Sequence, residues 1–94
     1  MQVRWTPLAA QDLEEIAVFI GRDSEASALA VAKTLFDAAN SLDLLPSRGR
    51  VGRAPGTREL LVQSLPYIIV YEIADTAIQI LHIYHGARSW PEER

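Results

Sequence analysis

The sequence contains four residues whose side chains could together perform acid–base chemistry on a phosphate. Arg58 and Glu59 begin one apolar segment, and His85 and Arg88 follow the last one. Cleavage of RNA by its own 2′-hydroxyl requires a base, an acid for the leaving oxygen and cations that stabilise the phosphorane, and these residue types can supply all three. The alternative is structural, with Arg58 and Glu59 as edge-strand charges and His85 hydrogen-bonded to a loop carbonyl.

A second concentration of charge lies between Pro46 and Arg58. This segment has four arginines but no lysine and no acidic residue. The four are Arg48, Arg50, Arg53 and Arg58. Because the planar guanidinium group pairs well with carboxylate and phosphate, the segment predicts a recognition surface, the alternative being a solvated loop. Trp90, which precedes a charged tail, is expected to be partly exposed and either to cover the sheet or to contact a partner.

Other kinds of site find little support in the sequence. The chain has no cysteine, which excludes a disulfide framework and a thiolate metal site. His82 and His85 are three positions apart on a predicted strand, so their side chains point to opposite faces, and we expect no metal site and no cofactor. The segment 48–53 contains two glycines but lacks the lysine of a phosphate-binding P-loop.

Length and composition set the scale of the molecule. The 94 residues, of which 49% are hydrophobic, are enough for one compact domain spanning 1–94. The apolar runs are far shorter than the roughly 20 residues that cross a bilayer, and the N-terminus lacks the apolar segment of a secretory signal. The formal net charge of −3 weighs against extensive phosphate binding. We therefore expect a cytoplasmic protein without membrane contact.

The elements that must position these residues begin with a short strand at 3–5 and a helix. Thr6 is a suitable N-cap, and Pro7 fits the first helical position because its missing N–H is not needed there. Apolar residues then recur with helical spacing at Ala9, Leu13, Ile16, Ala17 and Ile20. The nearby acidic residues Asp12, Glu14 and Glu15 are expected to fall largely off this stripe. Gly21 is expected just beyond the end of the helix.

A second helix follows directly, with Ser24 as its N-cap. Its apolar stripe consists of Ala28, Ala32, Leu35, Ala39 and Leu42, widened by Phe36 and Leu45. Pro46 is expected to end this helix. The short connection between the two helices predicts an antiparallel hairpin, and the glycine-rich segment 47–57 predicts a loop.

The second half of the sequence predicts strands at 58–62, 67–73 and 77–84, joined by short turns. Helices followed by strands indicate an α+β fold: an N-terminal strand, a two-helix antiparallel hairpin and then a three-stranded antiparallel meander, with the helices packed on the sheet. The last two strands are apolar on both faces and should be central, whereas the N-terminal strand should join the edge of the sheet.

The order of the strands also bears on the candidate chemical site. We expect the start of the first meander strand and the end of the last to lie at the same end of the sheet. That arrangement would bring Arg58 and Glu59 close to His85 and Arg88.

Four segments, taken in order, resemble a known family. They are W-T-P-x-A-x-x-D-L at 5–13, G-T-R-E-L at 56–60, P-Y-I-I-V-Y at 66–71 and I-L-H-I-Y-H-G-A-R-S-W at 80–90. Over nearly its whole length the chain is similar to the RelE/ParE superfamily of type II toxin–antitoxin toxins. The resemblance implies a helical hairpin on an antiparallel sheet, a cytosolic toxin and a cognate antitoxin that wraps it. Acidic antitoxin side chains would then be expected at Arg48, Arg50, Arg53 and Arg88.

The resemblance leaves the cellular target open, because RelE-like members cut mRNA on the ribosome whereas ParE-like members inhibit DNA gyrase. The RelE-like pattern has an arginine where this chain has Ile68, and basic residues where it has the apolar segment 60–62. Arg88 matches the family's arginine after the last strand, and Arg58 is a looser match. Gyrase inhibition is therefore the first hypothesis. The alternatives are an mRNA endonuclease that uses Arg58, Arg88, His85 and Glu59, and a non-toxic member that only binds antitoxin.

Overall fold

A computed structural model describes residues 1–87 of the chain. Its elements are β1 (Gln2–Trp5), α1 (Pro7–Gly21), α2 (Glu25–Asn40), β2 (Arg50–Val51), β3 (Arg58–Leu61), β4 (Tyr67–Ile73) and β5 (Ala77–His85). Two short 3₁₀ turns, Ser41–Asp43 and Pro46–Arg48, connect α2 to β2. The predicted α+β architecture is confirmed.

The strands form one sheet in the order β1-β5-β4-β3-β2. β1 runs parallel to β5, and the other neighbours are antiparallel. β4 and β5 lie inside the sheet and β1 at one edge, which confirms the prediction made from apolar residues on both faces of the last two strands.

Thr6 joins the start of α1 to the sheet. Its side-chain oxygen accepts a hydrogen bond from Ala9 N at 3.2 Å, as an N-cap does, and its hydroxyl donates to Ile80 O at 2.7 Å. Pro7 occupies the first turn of the helix, as predicted. The predicted stripe packs against the core through Leu13, Ile16 and Ile20. One threonine therefore both starts the helix and fixes it to β5.

Both helices end at different residues from those predicted. Gly21 is the last residue of α1 rather than the first beyond it. α2 stops at Asn40, and the 3₁₀ turn Ser41–Asp43 takes over the predicted final turn. This turn still places Leu42 in the core, whereas Leu45 is 62% exposed and does not widen the buried stripe. α2 ends six residues before Pro46, so the proline does not define the helix end.

The segment predicted as a loop, 47–57, contains a strand. β2 pairs with the start of β3, placing Arg50 opposite Glu59 and Val51 opposite Arg58. The sheet accordingly has five strands rather than four. A two-residue strand within a glycine- and arginine-rich segment has no alternation of apolar and polar residues, so periodicity cannot reveal it.

Apolar side chains are buried on both faces of the sheet. The cluster facing the helices consists of Ala9, Leu35, Ala39, Leu42, Leu60, Val62, Tyr67, Ile69, Tyr71, Ile78, Ile80 and Ile83. A smaller cluster on the opposite face consists of Ile68, Val70 and Tyr84. Neither helix within residues 1–87 is long and apolar enough to span a bilayer.

Candidate recognition site

Residues 46–57, called the arginine loop below, lie at the edge of the sheet beside β3 and are anchored by Tyr71. The side chain of Tyr71 is fully buried. Its hydroxyl donates a hydrogen bond to Pro46 O at 2.7 Å and accepts one from Gly49 N at 2.8 Å. A Cβ at Gly49 would lie 2.7 Å from the Tyr71 hydroxyl oxygen and 2.9 Å from Glu59 O, closer than real contacts allow. The loop thus reaches the core through one phenol group, and this approach requires glycine at position 49.

Glu59 provides a second anchor. Its side chain is fully buried, with 0% of its surface exposed. One carboxylate oxygen accepts hydrogen bonds from Arg50 Nη2 at 2.9 Å and Nε at 3.3 Å, and the other accepts one from Arg53 N at 3.0 Å. Burial alone would raise the pKa of Glu59. The hydrogen bonds from Arg53 and Arg50 and the charges of both guanidinium groups outweigh burial and lower that pKa.

The lowered pKa predicts how stability responds to acid. The stabilisation that Glu59 contributes is present above its ordinary pKa of 4.5 and is lost as the pH falls through the lower folded value. We expect the free energy of unfolding of the Glu59→Gln variant to change less than that of wild type over this acid range. Urea denaturation at a series of pH values from about 6 to about 3 measures it. Parallel curves for the two proteins would contradict the assignment.

The four arginines differ in how they are held. The Arg48 guanidinium donates to Ser41 Oγ at 2.8 Å, and that of Arg58 donates to Gly49 O at 2.7 Å. Arg50 is paired with Glu59. Arg53 is exposed, and within residues 1–87 its guanidinium group forms no hydrogen bond or ion pair. Among these arginines, Arg53 is therefore the one whose charge is available to a partner without breaking an internal contact.

Tyr84 lies on the opposite side of the sheet from the helices, and the charges at the arginine loop influence the pKa of its hydroxyl. Burial raises the pKa of its hydroxyl, and the negative charge of Glu59 raises that pKa further, although Arg53 and Arg50 oppose the effect. The loop charges therefore act across the sheet face on which Glu59 is buried.

The predicted meeting of Arg58 and Glu59 with His85 is wrong. In β4, Arg58 pairs with Tyr71 and His85 pairs with Tyr67, four residues away. At about 3.3 Å per residue, the backbones of Arg58 and His85 are roughly 13 Å apart along the strands. The physical reason is strand direction: in an antiparallel meander the first and third strands run the same way, so the start of one lies at the opposite end from the finish of the other.

The contacts of His85 are with residues outside the arginine loop. Its Nδ1 accepts a hydrogen bond from Ala87 N at 3.0 Å, so the predicted bond to a loop carbonyl is replaced by one from a backbone amide. The ring meets Tyr67 edge-on at a centroid distance of 5.6 Å. Arg88 and Trp90, both predicted as contact residues, lie outside the described residues.

A contact that sequence reasoning missed joins α1 to β5. Asp12 accepts a hydrogen bond from Ile83 N at 2.9 Å and also contacts His82 Nδ1. The prediction that Asp12 falls off the apolar stripe is therefore wrong. A usable signal was present, since Asp12 follows Ala9 by three residues and precedes Ile16 by four, which places it on the same helix face.

Within the described residues, the arginine loop combines exposed guanidinium groups with a backbone held by internal contacts. The arginine loop presents a fixed positive surface, and the neighbouring acidic residue, Glu59 of β3, is buried and already paired. Over residues 1–87, no group of three or more histidine, cysteine or acidic side chains could hold a metal ion. A fixed guanidinium surface is suited to carboxylates or phosphates on a macromolecular partner.

Comparison with known proteins identifies the family. The family model for ParE toxins of type II toxin–antitoxin systems, parDE, matches residues 3–90. The chain belongs to the ParE toxin family. This ParE-family protein is accordingly the toxin of a type II toxin–antitoxin system, as the four sequence segments predicted.

Two relatives resemble the ParE-family toxin over nearly its whole length. Toxin RelE2 of Caulobacter vibrioides is 44% identical over 87 residues, which cover 93% of this chain and 97% of the relative. Y4kP of Sinorhizobium fredii, named as a candidate toxin, is 36% identical over 91 residues, which cover 97% of this chain and 94% of the relative. The relatives therefore include a protein with a RelE name.

Two solved structures share the fold of the ParE-family toxin. A chain of the chromosomal ParDE toxin–antitoxin system from P. aeruginosa has a TM-score of 0.83 at 26% identity, covering 90% of this chain and 95% of that chain. A chain of the RelBE2 toxin–antitoxin complex from Mycobacterium tuberculosis has a TM-score of 0.55 at 25% identity, with 89% and 95% covered. The two solved chains thus share the architecture of this toxin, a helical hairpin packed on a largely antiparallel sheet.

Proposed function

We propose that this toxin arrests growth in the cytoplasm by binding DNA gyrase, without cutting RNA. The observation that carries this proposal is the separation of the candidate catalytic residues. Arg58 and His85 are roughly 13 Å apart along the strands, and Glu59 is buried in its contacts with Arg50 and Arg53. A general base must reach the proton that it removes, within about 3 Å or through one water. Binding to a protein target makes no such demand on these residues.

A RelE-like mRNA endonuclease is the second candidate, because the Caulobacter vibrioides relative carries the name RelE2 and the RelBE2 chain shares the fold. In that case Arg88 and His85, with Arg58 and Glu59, are the residues to consider. The pairing of Glu59 weighs against its use as a base, since the lowered pKa makes it a poorer proton acceptor.

The two targets are separated by producing the toxin without antitoxin and labelling DNA and protein synthesis in the same culture. We expect DNA synthesis to stop first, a DNA-damage response to follow, and purified toxin to inhibit gyrase supercoiling. The His85→Ala and Arg58→Ala variants serve as the catalytic control and should still arrest DNA synthesis, since gyrase binding does not require an acid–base pair. Rapid arrest of translation with defined cuts in ribosome-bound mRNA would overturn the gyrase proposal. Unimpaired growth would instead indicate a member that only binds antitoxin.

We further infer that a cognate antitoxin neutralises the toxin by placing acidic side chains against the arginine loop. The ParDE and RelBE2 structures come from toxin–antitoxin systems, which supports a partner of this kind. The loop has no acidic residue of its own, and Arg48 and Arg53 are exposed. Guanidinium–carboxylate pairs across such a surface would set the register of the antitoxin and speed its association.

A further inference from the structure

We propose that Glu59 is the positioning residue of the arginine loop, and that Arg53 is the guanidinium it holds outward for the antitoxin. This inference rests on the proposed function, in which the arginine loop binds acidic antitoxin side chains. Arg50 and Arg53 look equivalent in sequence but have different roles in this proposal. The Arg50 side chain pairs with Glu59, whereas Arg53 binds Glu59 through its backbone N–H and keeps its guanidinium group exposed.

The contacts of Glu59 reach two different parts of the loop. One oxygen binds the side chain of Arg50, which lies directly opposite in the β2–β3 ladder. The other oxygen binds the backbone N–H of Arg53, three residues later. A single carboxylate therefore fixes both the short strand and the point at which the chain leaves it. Because the Arg53 amide faces Glu59, the peptide that carries the exposed Arg53 side chain is held in one orientation.

The burial of Glu59 has a cost that its contacts offset. An unpaired carboxylate in this position would lose its hydration, so three hydrogen bonds and two nearby guanidinium groups are required to keep it charged. The result is a basic loop with one buried negative charge beneath it. The Glu59 charge attracts both arginines. Arg50 pairs with it through the guanidinium group, whereas Arg53 binds it only through the backbone N–H.

Other contacts hold the two ends of the loop without Glu59. Tyr71 binds Pro46 and Gly49 at one end. At the other end Gly52 N donates to Thr57 O at 2.8 Å, and the Thr57 hydroxyl donates to Ala54 O at 2.7 Å. Loss of the Glu59 charge should therefore release the Arg50 side chain and the Arg53 N–H while these other contacts and the fold as a whole remain.

A double-mutant cycle tests whether Glu59 acts through Arg53. The binding partner is the full-length cognate antitoxin, and affinities are measured for wild type, Glu59→Gln, Arg53→Ala and the double variant. We expect each single change to weaken binding by about tenfold or more, as loss of a charge-assisted contact does. In the Arg53→Ala background, Glu59→Gln should add no more than about twofold, because its effect passes through the missing side chain.

The outcomes separate this inference from the proposed function. Equal losses from Glu59→Gln in both backgrounds would overturn the positioning role, since a general loss of stability adds independently of Arg53. Full affinity of Arg53→Ala would show that the antitoxin does not use this contact and would overturn the proposal for the loop itself. Target assignment is unaffected by either result, because it depends on the labelling experiment.

A second variant covers the case in which Glu59→Gln fails to fold. Arg50→Gln removes the partly exposed half of the same pair and leaves the buried carboxylate bound to Arg53 N. Hydrogen exchange should then show faster exchange confined to the arginine loop, and the cycle with Arg53→Ala should again be non-additive. Additive losses here, with β4 exchange accelerated as well, would reject the positioning role.

Discussion

Replacement of Asp12 by alanine is expected to lower the free energy of unfolding of this toxin by about 3 kcal/mol. Its carboxylate is only 12% exposed and binds both Ile83 N and His82 Nδ1. Removing it leaves the Ile83 N–H of β5 without its acceptor, so the desolvation of this donor is uncompensated, and it also removes the carboxylate that contacts the mostly buried His82 imidazole. Chemical denaturation, with the midpoint and its slope fitted separately, measures the loss.

The matched control is Glu15→Ala, an exposed carboxylate one turn further along the same helix. Glu15 accepts a hydrogen bond from Gln11 on the surface, so its removal should change stability by less than about 0.5 kcal/mol. Asp12→Asn keeps an oxygen for Ile83 N and should cost about 1 kcal/mol. If Asp12→Ala were as stable as the Glu15 variant, the contact would have no energetic role.

The importance of Asp12 depends on an irregularity that a sequence pattern does not show. Val70 pairs with His82 and Tyr71 pairs with Ile80, so β5 carries Leu81 as an extra residue. β1 pairs with β5 only as far as Ile80, beyond which the edge of β5 is open to α1. Asp12 fills this gap. A helix-period argument can place Asp12 on the inward face, but the bulge that supplies its partners arises only from the packed sheet.

The segments that carry the family resemblance meet in the fold. The segment 5–13 contains Thr6 and Asp12, and the segment 80–90 contains Ile80 and His82, which are their partners. These two segments therefore specify how α1 attaches to β5. For this reason the resemblance identified the fold and the family well, yet did not identify the surface that meets the target.

Features that depend on a single helix or strand were predicted correctly from the sequence, whereas contacts between two elements were not. The caps Thr6 and Ser24 and the doubly apolar strand β4 follow from local chemistry, and the structure confirms them. The position of Glu59 does not follow from local chemistry, because the sequence around a charged residue beside an apolar run is the same whether that residue faces solvent or an arginine of the neighbouring strand. The role of Glu59 follows only from the register of β2 and β3, which places it opposite Arg50.

Tyr71→Phe is the second change with a large expected effect, because it removes one oxygen atom that satisfies two backbone groups. Pro46 O and Gly49 N both bind the Tyr71 hydroxyl, and the phenylalanine ring fills the same space without replacing either bond. Leaving a buried donor and acceptor without partners costs about 3 kcal/mol in total. We expect a loss of stability of that size, measured by thermal and urea unfolding, together with faster hydrogen exchange at Gly49.

Tyr67→Phe is the matched control, since Tyr67 lies on the same strand and face as Tyr71, and its hydroxyl forms no hydrogen bond within residues 1–87. Its removal should change stability by less than about 0.5 kcal/mol. The comparison also tests the arginine loop, because Tyr71 is its attachment to the core. If the loop is a binding surface held in place by this hydroxyl, Tyr71→Phe weakens antitoxin binding at a temperature where the variant is still folded, and Tyr67→Phe does not. Equal affinities for the two variants would mean that the loop takes its bound conformation without the phenol.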